Sequence, residues 1–167
     1  MAPPKEDNIF LSVIEQHKGI IYKIANSYCH HAEDRKDLIQ EIIFQLWRSF
    51  DRYNDQYRYS TWLYRIALNV AISFYRKDSK RTAGAHELTA DILVVTEETA
   101  DTEQLQLLQR FISELPELDR AIMLLYLEEK SYKEMAEILG LTETNIATKI
   151  NRIKGKLKNK FSTIHHS

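Results

Sequence analysis

The sequence predicts an all-α protein of two helical domains joined by a flexible acidic linker, and three observations predict it. Glycine (4) and proline (3) are scarce among 167 residues, while Leu, Ile, Glu, Lys and Gln are plentiful, so turn-makers are few and helices are favoured. Apolar residues recur at three-and-four spacing through most of the chain, which lines up one face of a helix. Between Thr82 and Gln104 the chain carries Glu87, Asp91, Glu97, Glu98, Asp101 and Glu103 and no Lys or Arg, a shift of composition that reads as a linker. The expected division is therefore residues 8–81, the linker 82–104, and residues 105–161.

In the first domain, Phe10, Val13, Ile14, His17, Ile20, Ile21, Ile24 and Tyr28 follow helical spacing, with a cap expected near Asp7 or Asn8. Asp34 and Asp37 suit the start of a second helix carrying Leu38, Ile39, Ile42, Ile43, Leu46 and Trp47. Phe50 to Tyr59 is polar and aromatic without a period and reads as a loop. Trp62, Leu63, Ile66, Ala67, Val70, Ala71 and Phe74 then make a third helix. Ile92-Leu-Val-Val95 is the one apolar run in the linker. Leu105, Leu108, Phe111, Ile112 and Leu115 open the second domain, and Pro116 suits the first turn of the next helix.

The last quarter carries the strongest local signal. Ser131 and Glu134 form the S-x-x-E capping box, and Met135, Ala136, Ile138 and Leu139 supply a buried stripe. Gly140 tolerates the left-handed conformation that ends a helix sharply. Thr142 suits the N-cap of a following helix, whose Ile146, Ile150, Ile153 and Leu157 share one face. Two short helices about a glycine turn are the pattern of a helix-turn-helix, which lays its second helix in the major groove. At about 100° per residue, Thr144, Thr148, Asn151 and Arg152 face away from the isoleucines, with Asn145 and Lys149 on one flank and Lys154 on the other. These side chains suit base edges and phosphates. From Thr144 onward there is no acid, while Lys149, Arg152, Lys154, Lys156, Lys158 and Lys160 are basic.

The net charge of −1 is low for a protein that grips duplex DNA unaided, because phosphate neutralisation supplies most non-specific affinity. Basic modules flank the acidic linker: Arg76, Lys77, Lys80 and Arg81 before it, the lysine tail after it. Such segregation points to DNA binding assisted by a larger partner. The stretch from Arg52 to Lys77 interleaves rings with cations, the combination that holds unpaired bases by stacking and their backbone by charge. Tyr53, Tyr57 and Tyr59 cluster in a polar stretch and read as functional; Trp62 falls on the apolar stripe and is either core or shared.

Asp34-Arg-Lys-Asp-Leu-Ile-Gln-Glu-Ile-Ile-Phe-Gln-Leu-Trp-Arg48 resembles the second conserved region of bacterial sigma factors, and Tyr59-Ser-Thr-Trp-Leu-Tyr-Arg-Ile-Ala-Leu-Asn69 the helix that follows. Leu115-Pro-Glu-Leu-Asp-Arg120 with Ser131 to Lys154 resembles their fourth region. With only these two regions, the chain is similar to the extracytoplasmic-function (ECF) group of the sigma-70 family. The resemblance implies a region 2-like helical bundle and a region 4-like helix-turn-helix. It implies partners: core RNA polymerase, through its clamp coiled coil and flap, promoter DNA, and an anti-sigma factor. Asp37, Gln40, Glu41, Gln45, Trp47 and Arg48 would contact the polymerase. Tyr53, Tyr57, Arg58, Tyr59, Trp62, Arg65, Asn69, Arg76 and Lys77 would capture and open the −10 element. Thr142, Thr144, Asn145, Thr148, Lys149, Asn151, Arg152 and Lys154 would bind the −35 duplex. Ser73 stands where many relatives carry Asp, so a fine contact at that point of the third helix does not carry over; Ile146-Ala-Thr-Lys-Ile150 stands where they often carry Val-Lys-Ser-Arg, so base preference does not transfer.

Other function classes are disfavoured. Cys29-His30-His31 is the one metal-like cluster, but adjacent helical side chains diverge by about 100° and no second cluster completes a closed site, so neither metal nor cofactor is expected. No phosphate-binding glycine loop, nucleophile elbow or paired-carboxylate site suggests an enzyme or a small-molecule substrate. A single cysteine gives no internal disulfide framework, and no apolar run approaches the ~20 residues of a membrane span, so the cytoplasm is the expected compartment. Two rivals stand beside the sigma reading: a conventional helix-turn-helix regulator, and a helical enzyme or scaffold with an incidental basic tail.

Overall fold

The computed structural model describes residues 4–54, 56–81 and 102–165, and among them seven α-helices and one 3-10 turn. The chain divides into two compact units, Met1–Val95 and Thr96–Ser167, each with its own core. Most of the expected linker, Ile92-Leu-Val-Val95 included, lies outside the described residues.

In the first unit α1 (Pro4–Tyr28), α2 (Ala32–Ser49) and α3 (Tyr59–Arg81) all pack on one another. α1 begins before the expected Asp7 or Asn8, because proline is accepted at the first helical position. Its Phe10, Val13, Ile21, Ile24, Ala25 and Tyr28 are buried, and α2 contributes Leu38, Ile42 and Leu46. On α3 the buried line is Leu63, Tyr64, Ala67, Leu68 and Ala71, so the expected stripe is rotated: Trp62, Ile66, Val70 and Phe74 sit half-buried at its edge. Three-helix packing covers α3 from two sides and draws in Leu68, which lies off the apolar spacing. The loop expected from Phe50 to Tyr59 is shorter, since a 3-10 turn at Phe50–Arg52 extends α2 and α3 starts at Tyr59. The Phe50 ring packs edge-on against Phe10 at 5.3 Å, which fixes that turn to the core.

The second unit holds α4 (Thr102–Glu114), α5 (Glu117–Leu127), α6 (Tyr132–Leu139) and α7 (Glu143–His165). α4 begins within the stretch expected as linker, taking up Thr102 to Gln104. α5 is the centre of this unit: Arg120 and the run Ala121-Ile-Met-Leu-Leu125 are buried on every side, as suits a helix covered by its neighbours. α4, the turn that follows it, α6 and α7 add Phe111, Ile112, Leu115, Met135, Ile138, Ile146, Ile150 and Ile153. Pro116 stands at the N-cap of α5 rather than in its first turn, its ψ of 155° being extended. Arg120 is polar yet buried; its guanidinium donates to the carbonyls of Ser113 at 2.6 Å and Leu115 at 3.0 Å, satisfying acceptors where α4 ends. Near the far end of α7 the Lys160 ammonium pairs with the Glu114 carboxylate of α4. No helix among the described residues is long and apolar enough to cross a membrane.

Candidate nucleic-acid interfaces

The helix-turn-helix forms as its short-range signals require. The Ser131 hydroxyl accepts from the Glu134 amide at 3.1 Å, and the Glu134 carboxylate accepts from the Ser131 amide at 3.4 Å. Gly140 takes φ 70°, ψ 34°, and the amides of Gly140 and Leu141 both donate to the Ala136 carbonyl, closing α6. The Thr142 hydroxyl then accepts from the Asn145 amide at 3.1 Å. Thr142, expected at the duplex, thus holds the start of α7.

With Ile146, Ile150 and Ile153 facing the core, α7 leaves Thr144, Asn145, Thr148, Asn151, Arg152 and Lys154 exposed, and Lys149 half-buried. The Thr148 hydroxyl donates to the Thr144 carbonyl at 3.0 Å. Its proton is therefore engaged, and it presents lone pairs and a methyl group outward, which suit a base amino group or a thymine methyl. The Lys154 ammonium lies 4.6 Å from the centre of the Tyr126 ring on α5, a partner that no sequence pattern indicated.

In the first unit the rings gather. Tyr53 and Tyr59 stack with centroids 4.3 Å apart and planes inclined by 17°. Trp62 meets the Tyr53 ring edge-on at 5.5 Å, and Phe50 lies 6.0 Å from Trp62 and 6.5 Å from Tyr59. The Tyr53 hydroxyl donates to the Tyr57 carbonyl at 2.6 Å, which pins the loop between 3-10 turn and helix. Tyr53, Tyr57, Tyr59 and Trp62 are half-buried, so Trp62 is shared between core and surface. From this cluster a polar line runs along α3: Arg65, Asn69 and Arg76 are exposed and, at about 100° per residue, fall within about 40° of one another over roughly 17 Å. Arg58, just before the helix, continues it, and Lys77 stands beside it.

On α2 the residues Asp37, Gln40, Glu41, Trp47 and Arg48 are exposed and Gln45 half-buried, all on one side of the helix. Gln45 donates to the Glu41 carboxylate at 2.9 Å. Phe44 belongs with them and escaped sequence reasoning: the residue is 51% exposed and the Arg48 guanidinium lies 5.8 Å from the centre of its ring. The signal that could have found it is an aromatic residue off the apolar stripe of 39, 42, 43 and 46. A groove of about 840 Å³ runs between the two helices, lined by Asp37, Gln40, Glu41, Phe44 and Gln45 of α2 and Asn69, Val70, Ser73, Phe74 and Lys77 of α3. Residues expected at the polymerase thus share a groove with two expected at the promoter strand. The described residues of Cys29-His30-His31 join no group of three or more metal-ligating side chains.

A fold of helical units, the second built on a capped helix-turn-helix, places the chain among the helical DNA-binding proteins. Comparison with known proteins narrows the class. Residues 13–81 match the pattern of sigma-70 region 2, and residues 105–157 that of sigma-70 region 4. The chain is 26% identical to the ECF RNA polymerase sigma factor SigW of Bacillus subtilis (strain 168), over 92% of this chain and 89% of that protein. It is 30% identical to the RNA polymerase sigma factor SigZ of the same organism, over 77% of this chain and 75% of that one. Two solved structures share the fold. CnrH in complex with the cytosolic domain of CnrY aligns with a TM-score of 0.68 at 20% identity, covering 94% of this chain and 90% of that one. The sigma factor RpoE in complex with the anti-sigma factor NepR from Bartonella quintana aligns with a TM-score of 0.70 at 18% identity, covering 93% and 96%. The chain belongs to the sigma-70 family of RNA polymerase sigma factors, in its ECF group.

Proposed function

We propose that this sigma factor divides promoter recognition between its two units, with 8–81 as the polymerase-binding and −10 domain, 82–104 as the acidic linker and 105–161 as the −35 domain. The α2 face of Asp37, Gln40, Glu41, Phe44, Gln45, Trp47 and Arg48 docks on the clamp coiled coil of core polymerase, and the second unit on its flap. The line Arg58, Arg65, Asn69, Arg76 and Lys77 follows the backbone of the unwound −10 strand, while the rings of Tyr53, Tyr57, Tyr59 and Trp62 take up a base displaced from the duplex. The exposed face of α7 reads the −35 element, with Thr144, Asn145, Thr148 and Asn151 toward bases and Lys149, Arg152 and Lys154 toward phosphates. Its contribution is binding energy and strand capture in the cytoplasm, with no reaction of its own and no cofactor.

The single observation that carries this reading is the juxtaposition on one helix start of stacked rings and a line of exposed cations, in a chain that also holds the helix-turn-helix. Rings without the cations would be core, and cations without the rings would suit any duplex. An anti-sigma factor that covers the exposed Phe44 and Trp47 would block polymerase docking; the complex of RpoE with the anti-sigma factor NepR among the structural relatives supports such control.

The test is transcription with sigma-free core polymerase over a random promoter library. The wild-type chain should yield promoter-dependent transcripts. Tyr53→Ala and Tyr59→Ala should reduce permanganate reactivity of the melted strand about tenfold while closed complexes change less than about twofold, as loss of ~1–3 kcal/mol of stacking predicts. Unchanged opening in both variants would remove the rings from base capture, and no transcripts beside tight duplex binding would favour a conventional regulator.

A further inference from the structure

Lys154 differs from the other exposed cations of α7. Its ammonium rests 4.6 Å from the centre of the Tyr126 ring, well inside the distance at which a cation is drawn to an aromatic face. Tyr126 is half-buried at the end of α5, held by the buried run Ala121 to Leu125 before it. A flexible four-carbon side chain is thus anchored at its tip by a half-buried ring. We propose that Tyr126 is a positioning residue that holds Lys154 in place for a phosphate on the flank of α7, an inference that rests on Lys154 being a duplex contact.

A lysine ammonium has three donors, and approach to a ring face leaves the outward ones open to an oxyanion. A free lysine loses its rotamer freedom when it binds phosphate; one already held has lost it beforehand, so more of the contact is left as affinity. The pair lies outside the buried core of the unit, to which α5 gives Leu125 and α7 gives Ile150 and Ile153. Sequence spacing put Lys154 on the flank of α7 and gave no reason to link it with a tyrosine 28 positions earlier.

The experiment measures closed-complex affinity of the full chain with core polymerase on a promoter duplex selected by the wild-type chain, across several salt concentrations. Lys154→Ala should lower affinity and reduce the slope of log affinity against log salt by about 0.9, the loss of one phosphate contact. Tyr126→Leu should lower affinity roughly two- to tenfold, and Tyr126→Phe, which keeps the ring, should stay within about twofold of wild type. In the Lys154→Ala background, Tyr126→Leu should have no further effect. If Lys154→Ala matters and Tyr126→Leu does not, or if Tyr126→Leu weakens binding equally with Lys154 absent, Tyr126 is no positioning residue. If Lys154→Ala leaves affinity and slope unchanged, the duplex contact itself is overturned, and the inference with it.

Discussion

Glu129 holds a backbone conformation that few side chains accept, with φ at 60°. It follows α5, where the Lys130 amide donates to the Leu125 carbonyl at 3.1 Å and the Glu129 amide to the Tyr126 carbonyl at 3.0 Å, the paired bonds of a Schellman cap. Glycine usually fills that position because a Cβ crowds the backbone there. Glu129→Gly should therefore stabilise the second unit by about 1 kcal/mol, read as a higher urea midpoint in circular dichroism. Gly140→Ala, at φ 70°, should lower it by a similar amount. A fall in midpoint for Glu129→Gly would mean that its carboxylate makes a contact worth more than the strain. The two residues do the same job in neighbouring turns, and only one is the residue type that the job favours.

At the scale of the helix, Arg120 joins α4 to α5. Its guanidinium supplies donors to the carbonyls of Ser113 and Leu115 in a buried site, so removing it leaves acceptors without partners as well as a void. Arg120→Ala should destabilise the second unit by roughly 2–4 kcal/mol, seen as a loss of cooperative thermal unfolding near the wild-type midpoint. Arg120→Lys should recover less than half of that, because an ammonium has a different reach and no planar fork. A change below about 0.5 kcal/mol in Arg120→Ala would put the joint elsewhere. Arg120 also marks where sequence reasoning ended. The helix-turn-helix was legible because its signals are short-range: Ser131 and Glu134 are three apart, and Gly140 and Thr142 sit where a turn must be. Arg120 stands in Pro116-Glu-Leu-Asp-Arg120, where no short-range pattern marks it for burial; its burial depends on α4 ending beside it. The same holds for α3, whose phase is set by two packing partners, and for Tyr53 on Tyr59, which meet across a loop. Residues within a turn of one another declare themselves, and residues brought together by packing do not.

For the molecule as a whole, charge is segregated along the chain. Glu87, Asp91, Glu97, Glu98 and Asp101 lie between the exposed cations of α3 and those of α7 in sequence and offset them in the net charge of −1. Replacing these five acids by their amides should raise the affinity of the free chain for a random-sequence duplex several-fold at 0.05 M salt, and the gain should shrink toward 0.5 M as the Debye length falls below about 5 Å. Fluorescence anisotropy of a labelled 30-base-pair duplex would follow it; equal affinities at low salt would show that the acids do not restrain non-specific binding. The ring cluster of the first unit has a separate consequence. The chain's two tryptophans are Trp47 and Trp62, and both belong to it, linked through Phe10 and Phe50 by ring separations of 5.1, 5.3 and 6.0 Å. Tryptophan emission from this protein is therefore a signal from one corner of the first unit, and the second unit contributes none. A native optical reporter stands at the helix proposed to dock on polymerase and at the start of the one proposed to capture the strand, ready to time both events without a label.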